Sequence, residues 1–265
     1  TQPIESFPVN KLESLTALVA ELNAGRVDKL LILGGNPVYT APADLGFADA
    51  LAKANIKVHV SLHPDETSNL CDWHLPEAHE LESWGDARAY DGTVSTIQPL
   101  IAPLRSGWSK IEFFERALSG VTRARELVKR TWFGDRPADA AERAFQQVLH
   151  SGVVPNSALA PISPGLVAGW ASRLGSPKSI AEPLEAVILP DPTVGDGLFS
   201  NCGWTQELPK PMTSLAWDNA VYMAPRTAEE LRVRNGQVLN VTVNGREVQG
   251  PTWVLVGMPV GTIAL

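Results

Sequence analysis

The stretch that decides the fold is Lys29-Leu30-Leu31-Ile32-Leu33-Gly34-Gly35-Asn36-Pro37. Its first five residues are nearly all apolar, which is typical of a buried parallel strand, and the Gly-Gly-Asn-Pro sequence predicts a loop behind it. A helix over about 42–54 and a second strand over 56–62 are predicted to follow. Strand, helix and strand at this spacing predict a βαβ unit and therefore a parallel sheet.

Helical patterns lie on both sides of this unit. Before it, Asn10 with Glu13 three residues later predicts a helix start, and Gly25 its end. From about residue 106 to residue 174 the pattern is again helical, and Ser109 opens a capping box. Two apolar stripes at helical spacing are expected to be buried, namely Ile111, Phe114 and Leu118, and then Ala141, Ala144, Phe145, Val148 and Leu149.

After Pro183 the pattern changes from helical to β. Short strands are predicted over 186–189, 214–217, 238–243, 247–256 and from 262 onward, with one helix over 227–233. The pair Asn244-Gly245 predicts a tight hairpin, because both central residues of a type I′ turn need positive φ. We therefore predict an α/β fold in two domains: a parallel-sheet domain with a helical extension over 1–183, and a small β-barrel over 184–265.

The composition narrows the classes of function. The chain has 265 residues, with 22 Lys and Arg against 29 Asp and Glu, for a net charge of -7. A chain this acidic lacks the basic surface that binds nucleic-acid phosphates. No run approaches the roughly 18 apolar residues of a membrane helix, so no direct membrane insertion is expected. The chain starts at Thr1 without a signal peptide and stops in a strand-like run, which we interpret as a portion cut from a longer protein.

Few residues of this sequence have the types and spacings of a catalytic or metal-binding site. Cys71 and Cys202 are too few to hold an iron–sulfur cluster, which takes four ligands. Cys71, His74 and His79 lie close in sequence and zinc accepts such ligands, but their spacing matches no standard zinc pair. Histidines that hydrogen-bond within a loop are the simpler interpretation. No G-x-S-x-G and no G-x-G-x-x-G is present, which disfavours a hydrolase and a nicotinamide site.

Several runs taken together resemble molybdopterin oxidoreductases. Residues 31–37 and 71–82, the second with its Leu75-Pro76 pair, resemble two signatures of the α/β domains of that family. Residues 213–256 resemble the double-psi β-barrel that ends those enzymes. A narrower likeness, carried by residues 201–209 and Trp217-Asp218-Asn219, is to the molybdopterin-like iron–sulfur subunit of alternative complex III, a bacterial quinol-oxidising complex.

The resemblance implies a cofactor site as well as a fold. Members of the family hold a molybdopterin guanine dinucleotide, and the full-length chains carry iron–sulfur clusters elsewhere. The cofactor-binding positions implied here are Gly34, Gly35, Asn36, Pro37, Asp65, Glu66, Trp217, Asp218 and Asn219. Two glycines permit close approach of a phosphate or ribose, and ligands bind parallel sheets at the carboxyl ends of the strands. Without the family, a Gly-Gly-Asn-Pro turn is more simply a turn.

One departure from the family bears on the cofactor. Relatives that hold it commonly carry an Asn-x-Glu-Gly-Arg run where this chain has Tyr-Asp-Gly-Thr-Val at 90–94, without the arginine that would bind a pyrophosphate. In the complex III branch, the resemblance implies a subunit that has lost molybdenum and serves as a scaffold. Its expected partners are other subunits of the membrane complex and the rest of its own chain, on the periplasmic side of the inner membrane.

We therefore expect no cofactor, no catalytic residue and no metal ligand in this portion of the chain. Two alternatives stay open at this point. One is a functional portion of a molybdoenzyme that contributes to a dinucleotide pocket, for which a basic residue beside Gly35 and Asp65 would be the distinguishing feature. The other is a zinc-binding module built on Cys71 and the neighbouring histidines.

Overall fold

The computed structural model describes residues 10–120, 123–175 and 184–265. Contacts divide the chain into two units, Thr1–Gly165 and Leu166–Leu265. The predicted domain boundary at 183 and 184 borders a stretch outside the described residues, and it stays a prediction. No helix in the described ranges is both long and apolar enough to cross a membrane.

A three-stranded parallel sheet forms the first part of unit 1. It consists of β1 (Lys29–Leu33), β2 (Ile56–Ser61) and β3 (Trp73–Pro76), in that order. Both pairs of neighbours run parallel, with Lys29 opposite Ile56 and Val58 opposite Trp73. The predicted parallel pair β1–β2 is confirmed. We did not predict β3 as a strand. Its four residues lie within 71–82, a segment that we interpreted only as a family-like signature.

One face of this sheet packs on two helices, α1 (Lys11–Asn23) and α3 (Phe47–Leu51). Their buried residues form one core with the half-buried Leu30 and Ile32 of β1. Leu31 is exposed and does not belong to this core, because successive side chains of a strand point to opposite faces of the sheet. The prediction of a fully buried β1 is therefore wrong for one face of the strand.

The start of α1 is confirmed and the helix predicted over 42–54 is not. The Asn10 side chain caps α1 by accepting hydrogen bonds from the amides of Leu12 and Glu13. The second helix is split into a 3-10 turn, Ala43–Leu45, and α3, because Gly46 between them has a φ of 58°. That left-handed conformation ends one helical turn before the next begins.

A hairpin and three longer helices follow the sheet along the chain of unit 1. The hairpin pairs β4 (Gly85–Arg88) with β5 (Val94–Ile97), and the helices are α5 (Lys110–Ser119), α6 (Ala124–Phe133) and α7 (Ala138–Ser151). The predicted stripe on α7 is confirmed, and its Phe145 is fully buried against α6. The helical prediction up to residue 174 is wrong after Gly152, since prolines interrupt this region and only the 3-10 turn Trp170–Arg173 is helical there.

The apolar stripe of α5 is exposed, contrary to prediction. The capping box of Ser109 and Glu112 forms as expected. However, α5 buries no residue, and its Ile111, Phe114 and Leu118 are exposed, the last of them by 84%. Amphipathic spacing predicts that a helix has an apolar face, but it does not say what covers that face.

Unit 2 is built on a five-stranded mixed sheet. Its strands are β6 (Glu185–Val187), β7 (Val221–Met223), β8 (Val238–Val243), β9 (Arg246–Val254) and β10 (Thr262–Ala264), in the order β6-β10-β7-β9-β8. Ala228 of helix α9 (Pro225–Leu231) packs on the sheet with Val221, Met223 and Ile263. The sheet curls into a half-barrel, and the double-psi topology stays a prediction.

Two sequence predictions for unit 2 have opposite outcomes. Asn244 and Gly245 form the expected two-residue turn, with φ values of 50° and 76°, and they connect the paired residues Val243 and Arg246. The strand predicted over 214–217 is wrong, because Ser214 and Trp217 both have a left-handed φ, which is incompatible with an extended chain. β7, at 221–223, takes its place in the sheet.

Phe145 provides a test of the core of unit 1. We expect Phe145→Ala to lower the free energy of unfolding by about 3–5 kcal/mol, because it removes a fully buried ring from the packed helices. Leu118→Ala on α5 is the control, with an expected change within about 0.5 kcal/mol at an exposed site. Urea unfolding followed by circular dichroism measures both. Equal losses in the two variants would contradict the described packing.

Candidate functional site

The predicted Gly-Gly loop lies at the carboxyl end of β1 and leads into the short helix α2 (Pro37–Thr40). The Gly34 amide donates a hydrogen bond to the Val60 carbonyl at 2.7 Å. Gly34 and Gly35 have φ values of 69° and 70°, which glycine adopts without steric cost. Beside Gly35 the space is open, since a Cβ there would meet no atom within 4 Å. The backbone of this loop is therefore accessible to an approaching group.

Asn36 ties the loop to α4 (Glu66–Asn69), the short helix that follows β2. Its Nδ2 donates to Glu66 Oε2 at 2.6 Å, and its Oδ1 accepts from the Thr67 amide at 3.2 Å and the Thr67 hydroxyl at 2.7 Å. Thr67 is fully buried, and its Oγ1 also accepts from the Val38 amide. The structure thus brings the predicted residues Asn36 and Glu66 together, but it pairs their polar atoms with each other.

Asp65 stands at the start of α4 as its N-cap. Its Oδ1 accepts from the Ser68 amide at 2.8 Å and lies 3.0 Å from the Ser68 hydroxyl oxygen. This oxygen therefore satisfies the helix end, which is a common role of aspartate at this position. The assignment of Asp65 to a ligand stays a prediction, and its established contacts are internal ones.

His59 connects Asp65 and Ser68 to the Gly-Gly loop. The ring is fully buried in β2, with Nδ1 2.8 Å from Ser68 Oγ and 3.4 Å from Asp65 Oδ1. Its Nε2 lies 3.0 Å from the Gly35 carbonyl oxygen. Because a carbonyl only accepts, the proton must be on Nε2. This contact joins residues 24 positions apart, so no local sequence pattern indicated it.

Ser68, His59 and Asp65 do not form a hydrolytic triad. In such a triad the histidine lies between the nucleophile and the carboxylate, and its second nitrogen receives the proton of the serine. Here Ser68 lies between His59 and Asp65, and Nε2 of His59 is bound to a backbone carbonyl. The three side chains are therefore arranged to hold the loop and α4 together.

Lys110, which sequence reasoning missed, brings a positive charge to this loop. Its Nζ lies 2.9 Å from the position that a Cβ would take on Gly34, and 3.4 Å from Glu77 Oε1. The carboxylates of Glu66 and Glu77 lie beside the same loop, and that of Asp65 is connected to it through His59. Lys110 opens a helix far along the chain, so no local pattern indicated its approach to Gly34.

The other three predicted residues, Trp217, Asp218 and Asn219, belong to unit 2 and precede β7. Trp217 has a φ of 68°, which is rare for a bulky side chain, and its ring is 62% exposed. Its amide donates to the Gln206 carbonyl of the short helix α8 (Gly203–Glu207) at 2.9 Å. The backbone thus holds Trp217 in a strained conformation with its indole facing outward.

A buried ion pair supports this segment of unit 2. Lys210 Nζ donates to the Asp218 carbonyl at 2.9 Å and lies 3.2 Å from Asp191 Oδ2, and both side chains are 8% exposed. Burial alone would raise the pKa of Asp191, but hydrogen bonds from Thr193, from the Val194 amide and from Lys210 lower it to about 2. Asp191 is therefore ionised at neutral pH and balances the buried ammonium group.

The zinc alternative finds no support in the described residues. Nowhere in ranges 10–120, 123–175 and 184–265 do three His, Cys, Asp or Glu side chains group closely enough to hold a metal ion. Ser61 Oγ lies 3.0 Å from His74 Nε2, and His79 Nδ1 accepts from the Leu81 amide. Burial, with the charge of Asp72, raises the pKa of Cys71 and so disfavours the thiolate that binds zinc.

Comparison with known proteins gives a partial sequence match and a fold match. No protein-family model matches this chain. Over 95 residues, 35% of the chain, it is 30% identical to the menaquinone reductase molybdopterin-binding-like subunit of Nitratidesulfovibrio vulgaris, a match that spans 14% of that subunit. The fold matches acetylene hydratase from Pelobacter acetylenicus with a TM-score of 0.60 and 14% identity, over 94% of this chain and 38% of that one. The first likeness links about a third of this chain to a molybdopterin-binding-like subunit, and the second shows a shared fold.

The Asp191–Lys210 pair predicts a pH dependence for unit 2. Because the pKa of Asp191 is lowered on folding, its contribution to stability is present above about pH 4 and is lost as the pH falls through about 2. We expect Asp191→Asn to lower the free energy of unfolding at pH 7 by about 3–5 kcal/mol, since it leaves Lys210 buried and unpaired. The variant should also lose less stability than the wild type between pH 4 and pH 2.

Asp196→Asn, at an exposed position in the same segment, is the matched control for urea unfolding at each pH. Its stability at pH 7 should stay within about 0.5 kcal/mol of the wild type. If Asp191→Asn behaved like Asp196→Asn, the ion pair would not stabilise unit 2.

Proposed function

We propose that this chain is a portion of a molybdopterin oxidoreductase-family subunit that works, without its own cofactor, as a scaffold and docking region. The parent assembly would be a membrane-associated quinol-oxidising complex of the alternative complex III type, with this portion on the periplasmic side of the bacterial inner membrane. The observation that carries the proposal is the internal pairing of the loop that would otherwise hold a nucleotide. The partial match to a menaquinone reductase subunit supports the kind of assembly.

The pairing at the loop works against a bound dinucleotide. Both polar atoms of the Asn36 side chain are hydrogen-bonded, to Glu66 and to Thr67, and one carboxylate oxygen of Asp65 accepts a hydrogen bond from the Ser68 amide. A nucleotide that sought the same atoms would have to replace short hydrogen bonds, one of them to a buried group. The carboxylates around the loop would also repel a pyrophosphate. Residues 90–94 offer no arginine in compensation.

The exposed apolar side chains of unit 2 support a docking role. Between residues 198 and 217 several large apolar residues are exposed, and the strongest case is Trp204, at 89%. The strained Trp217 lies in the same segment. Soluble proteins seldom expose tryptophan side chains this fully, and indoles are enriched among the residues that dominate binding energy at interfaces. We infer that other subunits, or further segments of a longer chain, bind this surface.

A second candidate function is favoured by Lys110. This lysine places an ammonium group beside Gly34, in a glycine-rich loop whose next residue, Gly35, faces open space. A functional dinucleotide site would place a cation for the pyrophosphate in such a loop. Its carboxylate partner Glu77 lies 3.4 Å away, so Lys110 is loosely paired and partly exposed. In this alternative the chain contributes the loop to a molybdopterin guanine dinucleotide pocket of a functional enzyme.

The cofactor content of the full-length protein decides between the two candidates. We expect protein purified from its native complex to contain far less than one molybdenum atom and one guanine nucleotide per chain. Plasma mass spectrometry measures the metal, and chromatography of an acid extract measures the nucleotide. About one of each per chain would refute the proposal and favour the second candidate. In that case Lys110→Met should lower the nucleotide content and Lys110→Arg should retain most of it.

The docking role is tested separately by truncating Trp204. We expect Trp204→Ala to weaken assembly of the tagged full-length subunit by about tenfold or more, because interface tryptophans commonly contribute about 2 kcal/mol or more. Val256→Ala, 86% exposed in the same unit, is the matched control and should leave assembly unchanged. Native gel electrophoresis of solubilised membranes measures the fraction in the complex. Equal assembly of the two variants would remove Trp204 from the docking surface.

A further inference from the structure

We propose that His59, Ser68 and Asp65 form a buried proton relay that makes the Gly34–Asn36 loop sensitive to pH, with His59 as the positioning residue for the loop. The inference deepens the candidate site and rests on this loop being that site. It requires no bound cofactor, so it stands or falls independently of the cofactor content of the protein. Three side chains from β2 and α4 and one backbone carbonyl carry it.

In the neutral state of His59 every ring nitrogen has a partner. Nε2–H donates to the Gly35 carbonyl at 3.0 Å, and Nδ1 accepts the hydroxyl proton of Ser68 at 2.8 Å. Asp65 Oδ1 then accepts only from the Ser68 amide. A buried imidazole that lacked either partner would carry a substantial penalty, so the network fixes the tautomer.

The same atoms accommodate a protonated His59 without leaving a polar group unpaired. A proton that arrives on Asp65 passes to Ser68 Oγ, while the original hydroxyl proton moves from Ser68 Oγ to His59 Nδ1. The O–H bond that breaks on Ser68 is replaced by a new one, so only His59 gains a proton. Afterwards Nδ1–H donates to Ser68 Oγ, and the Ser68 hydroxyl donates to Asp65 Oδ1 at 3.0 Å.

The burial pattern gives this relay a direction. His59 has no exposed surface, whereas the Asp65 side chain keeps 22% of its surface exposed. Solvent protons therefore reach the imidazole by way of Asp65 and Ser68. The ionisable groups that face His59 are Asp65, at 3.4 Å, and His74, whose ring centre lies 6.1 Å away on β3. Glu66, Glu77 and Lys110 surround the loop itself.

Protonation changes the loop through the Gly35 carbonyl. The Nε2–H bond to this carbonyl becomes a charge-assisted hydrogen bond, which is shorter and stronger than the neutral one. The charge also adds a positive potential beneath a loop surrounded by carboxylates. The loop is consequently held more tightly, and becomes less repulsive to an anion, at the lower pH.

Nuclear magnetic resonance of the isotopically labelled 265-residue chain tests the relay. We expect the His59 ring to be the Nε2–H tautomer at high pH, and the amides of Asn36 and Ser68 to titrate with the same midpoint as the ring. His59→Gln keeps an N–H group near the Gly35 carbonyl but cannot titrate. In that variant the pH dependence of the Asn36 amide should vanish while the spectrum stays that of a folded protein.

Asp65→Asn separates the relay from a merely structural role. Asparagine is as good an N-cap as aspartate, so α4 should persist, but the counter-charge of a protonated His59 is lost and the change at the Asn36 amide over the same pH range should be weaker. His74→Gln, which removes the other histidine near the ring, should leave the Asn36 titration in place. A His59 ring that shows the Nδ1–H tautomer, or an Asn36 amide that still titrates in His59→Gln, would overturn the inference.

Discussion

The site in unit 1 depends on the polar connection between the end of β1 and the segment that follows β2. Parallel strands are joined by their backbone ladder, but the loops beyond them need separate partners for their polar groups. Thr67 and His59 supply these partners from fully buried positions, one through Asn36 and Val38 and the other through the Gly35 carbonyl. Because both side chains are buried, breaking either connection would leave a polar group without water or protein, and the loop conformation follows from that constraint.

This constraint explains how one fold can host either a filled or an empty ligand crevice. Ligands of open α/β sheets bind beyond the carboxyl ends of the strands, and the glycines of this loop keep its backbone accessible. Whether such a crevice binds a ligand then depends on which side chains are free to do so. In this chain Asn36 and Asp65 have internal partners, and Lys110 has a carboxylate near it. A scaffold role therefore requires no change of fold, only a different use of a few side chains.

Local patterns in the sequence predicted those parts of the structure that local physics determines. The strand β1 with its four apolar residues, the Asn10 cap, the Ser109 capping box and the Asn244-Gly245 turn all formed as expected. The burial of α5 and the strand over 214–217 were wrong, because packing partners and the left-handed Trp217 are set by the rest of the unit. Of the candidate site, the Gly34–Pro37 loop and its approach to Glu66 followed from the order of strands. His59, Thr67 and Lys110 did not, since their contacts join residues that are distant in sequence.

The position of β8 at the end of the sheet in unit 2 has a practical consequence. Its six residues, Val-Leu-Asn-Val-Thr-Val, include no charge and no proline, and in the described part of the unit only β9 pairs with them. Edge strands with this composition template further strands, and proteins usually protect them with lysine, proline or a bulge. At high concentration the chain will therefore tend to aggregate through β8, and a single lysine introduced on that strand is the simplest way to keep it in solution.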